Sequence, residues 1–301
     1  MRKLLLLPLM ALIVACGGSS SDRDSGPYRL VKVDEYSSLP KTTGIGKADA
    51  SGTIVRSYEI SYNEDGYASK VEYFKDDSST LYETYDYTYN ADGNRTEILI
   101  TDNENDTIDD IITYTYDSNG VLSASSSDDD GDNTIDFTSV YTSDADGLIT
   151  RIDEYDEPGH VLDNSIVYTY SDGLPTQKEE DDDGDGIFDE TTVYTFSASE
   201  MLLTAVTTGD DEETVTYSYD SDDNLLAIAY DNDSDSVTDR IRTFTYDDNG
   251  NIVKVEDDYN SDGVADAQAV LTYESGEEKG TDIIWHQIYG YEPIIYEQYN
   301  R

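Results

Sequence analysis

Five stretches of this chain set oxygen donors at alternate positions of a short acidic run, the arrangement that a hard divalent cation requires. They read Asp-x-acid/Asn-x-Asp-x-x-x-Asp. The first holds Asp102, Glu104, Asp106 and Asp110, the second Asp128, Asp130, Asp132 and Asp136, and the third Asp181, Asp183, Asp185 and Asp189. The fourth holds Asp231, Asp233, Asp235 and Asp239, and the fifth Asp258, Asn260, Asp262 and Asp266. Alternate side chains of a tight loop point to one side. Oxygens at positions 1, 3 and 5, a backbone carbonyl at 7 and a carboxylate at 9 are therefore expected to converge on one ion. Calcium is the expected occupant, because it accepts roughly six to eight oxygens in a flexible geometry, whereas magnesium wants a smaller octahedron and keeps its waters. With neither Cys nor His in the donor set, zinc and copper are disfavoured.

An EF-hand would place Glu at position 12 between helices. Here that position is Thr113, Ser139, Thr192, Arg242 or Ala269, so that reading fails. Position 6 needs a sharp turn, which Gly186 and Gly263 provide, which Asn133 tolerates, and for which Thr107 and Ser236 are poor choices. The expected order of affinity is the 181 and 258 loops, then 128, then 231, then 102. The five nine-residue loops hold 22 of the 67 acidic residues in 45 of 301 positions, so the acid is placed by position and is not a general coat. Without metal, carboxylates this close repel one another, and cation binding should stiffen the array.

Other chemistries find little support. A nucleophilic triad needs a His, and the only two are His160, in a Pro-Gly loop, and His286, in an aromatic segment. No Gly-rich phosphate loop opens a helix. Some carboxylate pair will always lie at glycosidase spacing among so many acids, so such a pair carries no information. The chain is expected not to be an enzyme.

The elements that must position the loops come from an internal repeat. Aligning the last residue of an aromatic-Thr-aromatic strand gives Tyr62, Tyr89, Tyr116, Ser143, Tyr170, Phe196, Tyr219, Tyr246 and Tyr273, spaced by 27, 27, 27, 27, 26, 23, 27 and 27 residues. Aromatics at i and i+2 share one strand face, and the Thr between them faces the other way. The Asp-x-Asn-Gly that follows suits a hairpin turn, and a second strand such as Ile252 to Glu256 comes next. The predicted fold is all-β: a meander of about nine 27-residue β-hairpin repeats forming a curled or spiralling antiparallel sheet, with the acidic loops between hairpins. The 155–163 connection, with Pro158 and His160, and the short 209–214 connection lack the ligand pattern.

Tyr116-Asp117 with Gly120, Tyr246-Asp247 with Gly250, and the looser Tyr62-Asn63 with Gly66 and Tyr89-Asn90 with Gly93 resemble the YD repeats of RHS proteins over residues 55–275. That resemblance implies a spiralling β-sheet. The period here is longer, and no large toxin region follows, so a closed toxin-encapsulating shell is not expected. The acidic loops are similar to the calcium loops of thrombospondin type 3 repeats and of integrin-type β-propeller hairpins.

The ends place the chain in a compartment. Met1-Arg2-Lys3, an apolar run from Leu4 to Val14 and the sole cysteine, Cys16, resemble a bacterial lipoprotein leader with Cys16 as the lipidated residue. The apolar run, which contains Pro8, is too short to span a bilayer. One cysteine allows no disulfide framework. The expected organisation is a signal peptide at 1–15, a flexible tether at 16–27, N-terminal capping strands at 28–54, repeats at 55–275 and an aromatic cap at 276–301 containing Trp285. With 18 basic against 67 acidic residues, a net charge of -49 excludes an ordinary nucleic-acid binder. The expected role is an exported, lipid-anchored, calcium-binding structural or adhesive module at the cell envelope, on the outer membrane if the cell is Gram-negative, with a protein or glycan ligand. The alternatives are a polysaccharide-binding or polysaccharide-acting lipoprotein and a remnant of an RHS-like toxin system.

Overall fold

The computed structural model describes residues 28–37, 53–75 and 79–275. Cys16 with its leader and tether, and the 276–301 segment with Trp285 and His286, lie outside the described residues. The regular elements are all strands. In chain order they are β1 (Tyr28–Ser37), β2 (Thr53–Tyr62), β3 (Ala68–Lys75), β4 (Thr80–Tyr89), β5 (Arg95–Asp102), β6 (Thr107–Tyr116), β7 (Leu122–Asp128), β8 (Phe137–Ser143) and β9 (Ile149–Asp156). There follow β10 (Val161–Ser171), β11 (Leu174–Asp181), β12 (Glu190–Phe196), β13 (Leu202–Gly209), β14 (Glu213–Tyr219), β15 (Leu225–Asp231), β16 (Arg240–Tyr246), β17 (Ile252–Asp258) and β18 (Ala267–Ser275).

Each strand pairs antiparallel with the next, and β18 pairs with β1, so the 18 strands close into an up-and-down barrel. This corrects the predicted open, curled or spiralling sheet. The physical reason lies in β1. Among the described residues the ninth copy of the repeat contributes its first strand, β18, and β1, from the other end of the chain, pairs with it where a second strand would lie. Leu30, Val33 and Glu35 of β1 face Tyr273, Leu271 and Ala269, with a bulge between Leu30 and Lys32. Ile252, Val255 and Asp257 of β17 likewise align with Tyr246, Phe244 and Arg242, with a bulge at the same place. Closure removes both sheet edges, which would otherwise template association.

The alternation read from the sequence sets the two faces of the wall. Tyr87, Tyr114, Tyr141, Tyr168, Tyr194, Tyr217 and Phe244 are buried, and the Thr or Ser that follows each is exposed. Each ring lies across from a residue of the neighbouring second strand, Tyr87 from Ile98, Tyr141 from Ile152 and Tyr217 from Ile228, the cross-strand pair being the unit that stabilises a sheet. The buried apolar residues form one contiguous cluster. The outer face is mixed: Thr, Ser and charged side chains alternate there with the exposed Val140, Val193, Leu203 and Leu226 and the half-buried Leu99, Ile111, Val206 and Ile241.

The tyrosines that end the first strands tie successive hairpins together. The Tyr62 hydroxyl donates to the Leu30 carbonyl at 2.6 Å, Tyr89 to Ala68 at 2.7 Å and Tyr116 to Arg95 at 2.6 Å. Tyr170 donates to Ile149, Tyr219 to Leu202, Tyr246 to Leu225 and Tyr273 to Ile252. Two of the nine positions lack the phenol, Ser143 and Phe196. At the turn, the Asp117 carboxylate accepts the amides of Asn119 and Val121, and the Gly120 amide donates to the Asp117 carbonyl with Gly120 at φ 83°. These amides hold the Asp117 carboxyl below its ordinary range. The Tyr-Asp pair thus has two separate jobs: the ring and phenol join hairpins, and the carboxylate shapes the turn.

Candidate metal centres

The loops that follow β7, β11, β15 and β17 are gathered at one rim of the barrel, and the Tyr-Asp turns at the other. The four loops share one hydrogen-bond frame. In the 181 loop, Asp181 accepts the amides of Asp185 (3.1 Å) and Gly186 (2.8 Å), Asp183 accepts that of Asp185, Asp185 that of Ile187, and Asp189 that of Asp182. The 128 loop repeats this with Asp128, Asp130, Asp132 and Asp136. The 231 loop repeats it with Asp231, Asp233, Asp235 and Asp239. The 258 loop does so with Asp258, Asn260, Asp262 and Asp266.

In three of these loops the carboxylates at positions 1, 3 and 9 present oxygens within 4.8 Å of one another: Asp128, Asp130 and Asp136; Asp181, Asp183 and Asp189; Asp231, Asp233 and Asp239. Position 5 (Asp132, Asp185, Asp235) is outside these groups and turns one oxygen to the position-7 amide. The fifth loop has the same frame with an amide, Asn260, in place of the middle carboxylate. Such triads of hard oxygens fit a cation of the calcium type.

Position 6 adopts the left-handed region in all four: Asn133 at φ 70°, Gly186 at 88°, Ser236 at 73° and Gly263 at 84°. Position 4 does too, in Gly131, Gly184, Ser234 and Ser261, a feature the sequence reading missed. In the two loops with Gly at this position the backbone also packs closely on the preceding hairpin. A Cβ on Gly184 would lie 2.4 Å from the Leu162 carbonyl oxygen, and one on Gly131 would lie 2.8 Å from Ile108. The signal was available in the sequence as an unbroken Gly or Ser at that position.

The structure does not bring Asp102, Glu104, Asp106 and Asp110 together. β5 and β6 stay paired out to Asp102 and Thr107, which leaves a four-residue turn. Asp102 folds onto the amides of Glu104 and Asn105 and the Asn105 side chain, contacts that hold its carboxyl below the ordinary range. Asp110 is inside the wall, 3% exposed, where burial pushes its carboxyl up to about 6. A residue anchored in the strand cannot swing back to close the loop.

Several inward positions near the loop rim are charged. Arg240 and Arg242 both bind Asp257, with Arg242 at 6% exposure. Burial raises Glu35 above its ordinary range, against the pull of Arg56 and Arg242, and raises Glu154 to about 7. His160 stacks on Tyr155 at 4.1 Å and meets Glu157 at 2.8 Å, an arrangement that orders its own loop.

No family model matches the chain, and no curated protein matches it. Solved structures similar to it include the TcdB2-TccC3-Cdc42 crystal structure, at 14% identity and a TM-score of 0.42 over 76% of this chain and 13% of that one. A porin-like protein from Bacteroides uniformis ATCC 8492 is similar at 12% identity and a TM-score of 0.44, over 83% of this chain and 98% of that one. A porin-like protein from Bacteroides vulgatus ATCC 8482 is similar at 15% identity and a TM-score of 0.36, over 81% and 98%. The chain spans about an eighth of the length of the first of these.

Proposed function

We propose that this is an exported, lipid-anchored β-barrel, stiffened by calcium, that serves as a structural or adhesive interaction module at the bacterial cell envelope and not as an enzyme. The observation that carries the calcium reading is the hydrogen-bond frame common to four loops, which turns carboxylates of distant positions toward one point in three of them. Strand direction supports an orientation. Tyr28 pairs with Ser275 at the Tyr-Asp turn end, and Ser37 pairs with Ala267 beside the 258 loop. Since β1 begins at the turn end, an anchor at Cys16 would favour the acidic rim facing away from the membrane. That rim also displays Val161, Ile187 and Val237, each more than 60% exposed, a mixed acidic and apolar edge suited to a protein partner.

The test is a calcium titration by calorimetry on the chain lacking residues 1–22, with thermal melts in calcium and in chelator. Two or more equivalents and a melt raised by calcium are expected, since a ligand of the native state stabilises it. No binding at millimolar calcium would remove the reading.

Glycan binding is a second reading, favoured by one cleft of about 640 Å³ at the turn end. It lies between the β2–β3 and β4–β5 turns and is lined by Asn63, Asp65, Asn90 and Asp92 around Tyr67, whose ring packs on Tyr89 at 4.8 Å. A glycan array comparing the parent with Tyr67→Ala tests it; an unchanged pattern would exclude this cleft.

A further inference from the structure

Asp110, Ser127 and Asp129 meet where β6 and β7 approach the loop rim. The Ser127 Oγ lies 2.7 Å from Asp110 Oδ1 and 2.8 Å from Asp129 Oδ1. A hydroxyl has one hydrogen to donate. Only one of the two carboxylates can receive it, and the other oxygen pair is left in contact with no proton between. Asp110 and Ser127 are 3% and 1% exposed, and the second oxygen of Asp110, Oδ2, is buried with no hydrogen-bond partner. The charges that act most strongly on Asp110 are those of Asp129, Asp109 and Asp128, all of its own sign. A buried carboxylate needs a counter-charge or full hydrogen bonding, and this one has neither among the described residues.

We propose that Asp110, Ser127 and Asp129 hold a hard cation of their own, separate from that of the Asp128, Asp130 and Asp136 triad. A bound cation supplies what the geometry lacks. It accepts the orphaned Oδ2, stands between the two carboxylates, and takes the Ser127 oxygen as a neutral ligand, freeing its hydrogen from a double demand. Asp129 is suited to the inner role because its backbone amide already closes the outer loop onto Asp136, while its side chain turns to Ser127. The two sites would then share one backbone segment, so that filling the outer loop also fixes the inner ligands. The proposal deepens the calcium reading and shares its ion, but it does not require the triads to be occupied.

The experiment uses the full chain in mild detergent with calcium as the probe, read by calorimetry and by terbium luminescence sensitised by tyrosine. Asp110→Asn should remove one equivalent of calcium, Asp130→Asn a different one, and the double variant two. Ser127→Ala, which keeps both carboxylates, should weaken one site about tenfold without changing the count. In chelator, Asp110→Asn should melt at or above the temperature of the parent, because it removes an unpaired buried charge, which also shows that it folds. An unchanged count in Asp110→Asn with normal loop binding would overturn the inner site alone. Loss of an equivalent in Asp110→Asn, with no effect of Asp130→Asn or Asp183→Asn, would overturn the loop reading and keep the inner site.

Discussion

At the residue scale, the loops make their ligands unequal. Asp183 sits in a built triad and Asp262 in the fifth loop of the same frame, whereas Glu104 belongs to a turn with no converging partners. Asp183→Asn should lower the affinity of one calcium site by about tenfold or more and Asp262→Asn, at position 5, by a smaller factor, with no change for Glu104→Gln, as read by calorimetry. A second residue-scale prediction concerns Glu154, whose carboxyl burial raises from 4.5 to about 7, with Ser139 Oγ 3.4 Å away. The folded state holds this proton more tightly than the unfolded chain does. Its contribution to stability is therefore full below about pH 4.5 and is lost as pH rises through about 7, by at most about 3 kcal/mol. Urea melts in chelator at pH 5 and pH 8 should show this loss, and Glu154→Gln should flatten it.

At the scale of the element, the hairpin and its loop depend on contacts that a single repeat cannot make. The phenol staples run from each first strand to the hairpin before it, and Tyr116→Phe should cost about 1 kcal/mol in urea unfolding by leaving the Arg95 carbonyl without its donor. Phe196→Tyr restores the donor at a position that lacks it and should stabilise by a similar amount. The tight loops give another contrast. Gly184→Ala meets both the positive φ and the Leu162 carbonyl, while Gly186→Ala meets only the φ, with nothing within 4 Å. The first should lower stability by roughly 2 kcal/mol or more and the second by about 1 kcal/mol. Equal effects would mean that the loop does not rest on the neighbouring strand.

At the scale of the whole molecule, closure rests on ten residues from the N-terminal side. Leu30 and Val33 of β1 are fully buried, and Arg29 binds Glu274 of β18 while Ser57 of β2 binds Asp34. Deleting residues 28–37 exposes the edges of β2 and β18 together and should give more concentration-dependent association than the parent shows on size-exclusion chromatography. The polar residues on the outer wall support a further expectation: the chain lacking residues 1–22 should stay dispersed without detergent, which a barrel with a continuous apolar outer band would not.

The amino-acid sequence by itself determined the repeat, the strand pairs, the inward aromatics, the turn chemistry and the candidate ligands, because each is a matter of spacing within about 27 residues. A period of two places Tyr87 inside and Thr88 outside whatever the strand's distant neighbours are, and Asp-x-Asn-Gly fixes a turn locally. Only the tertiary structure decided that the sheet closes, since that depends on whether β1 and β18, more than 200 residues apart, find matching registers. It also decided the fate of Asp110. In the sequence this residue stands at the ninth position of a loop like the other four, but continued pairing of β5 and β6 draws it into the wall, beside a serine of β7 and the aspartate that follows that strand. Local pattern specifies what a residue can do; the pairing of strands decides which neighbours it does it with.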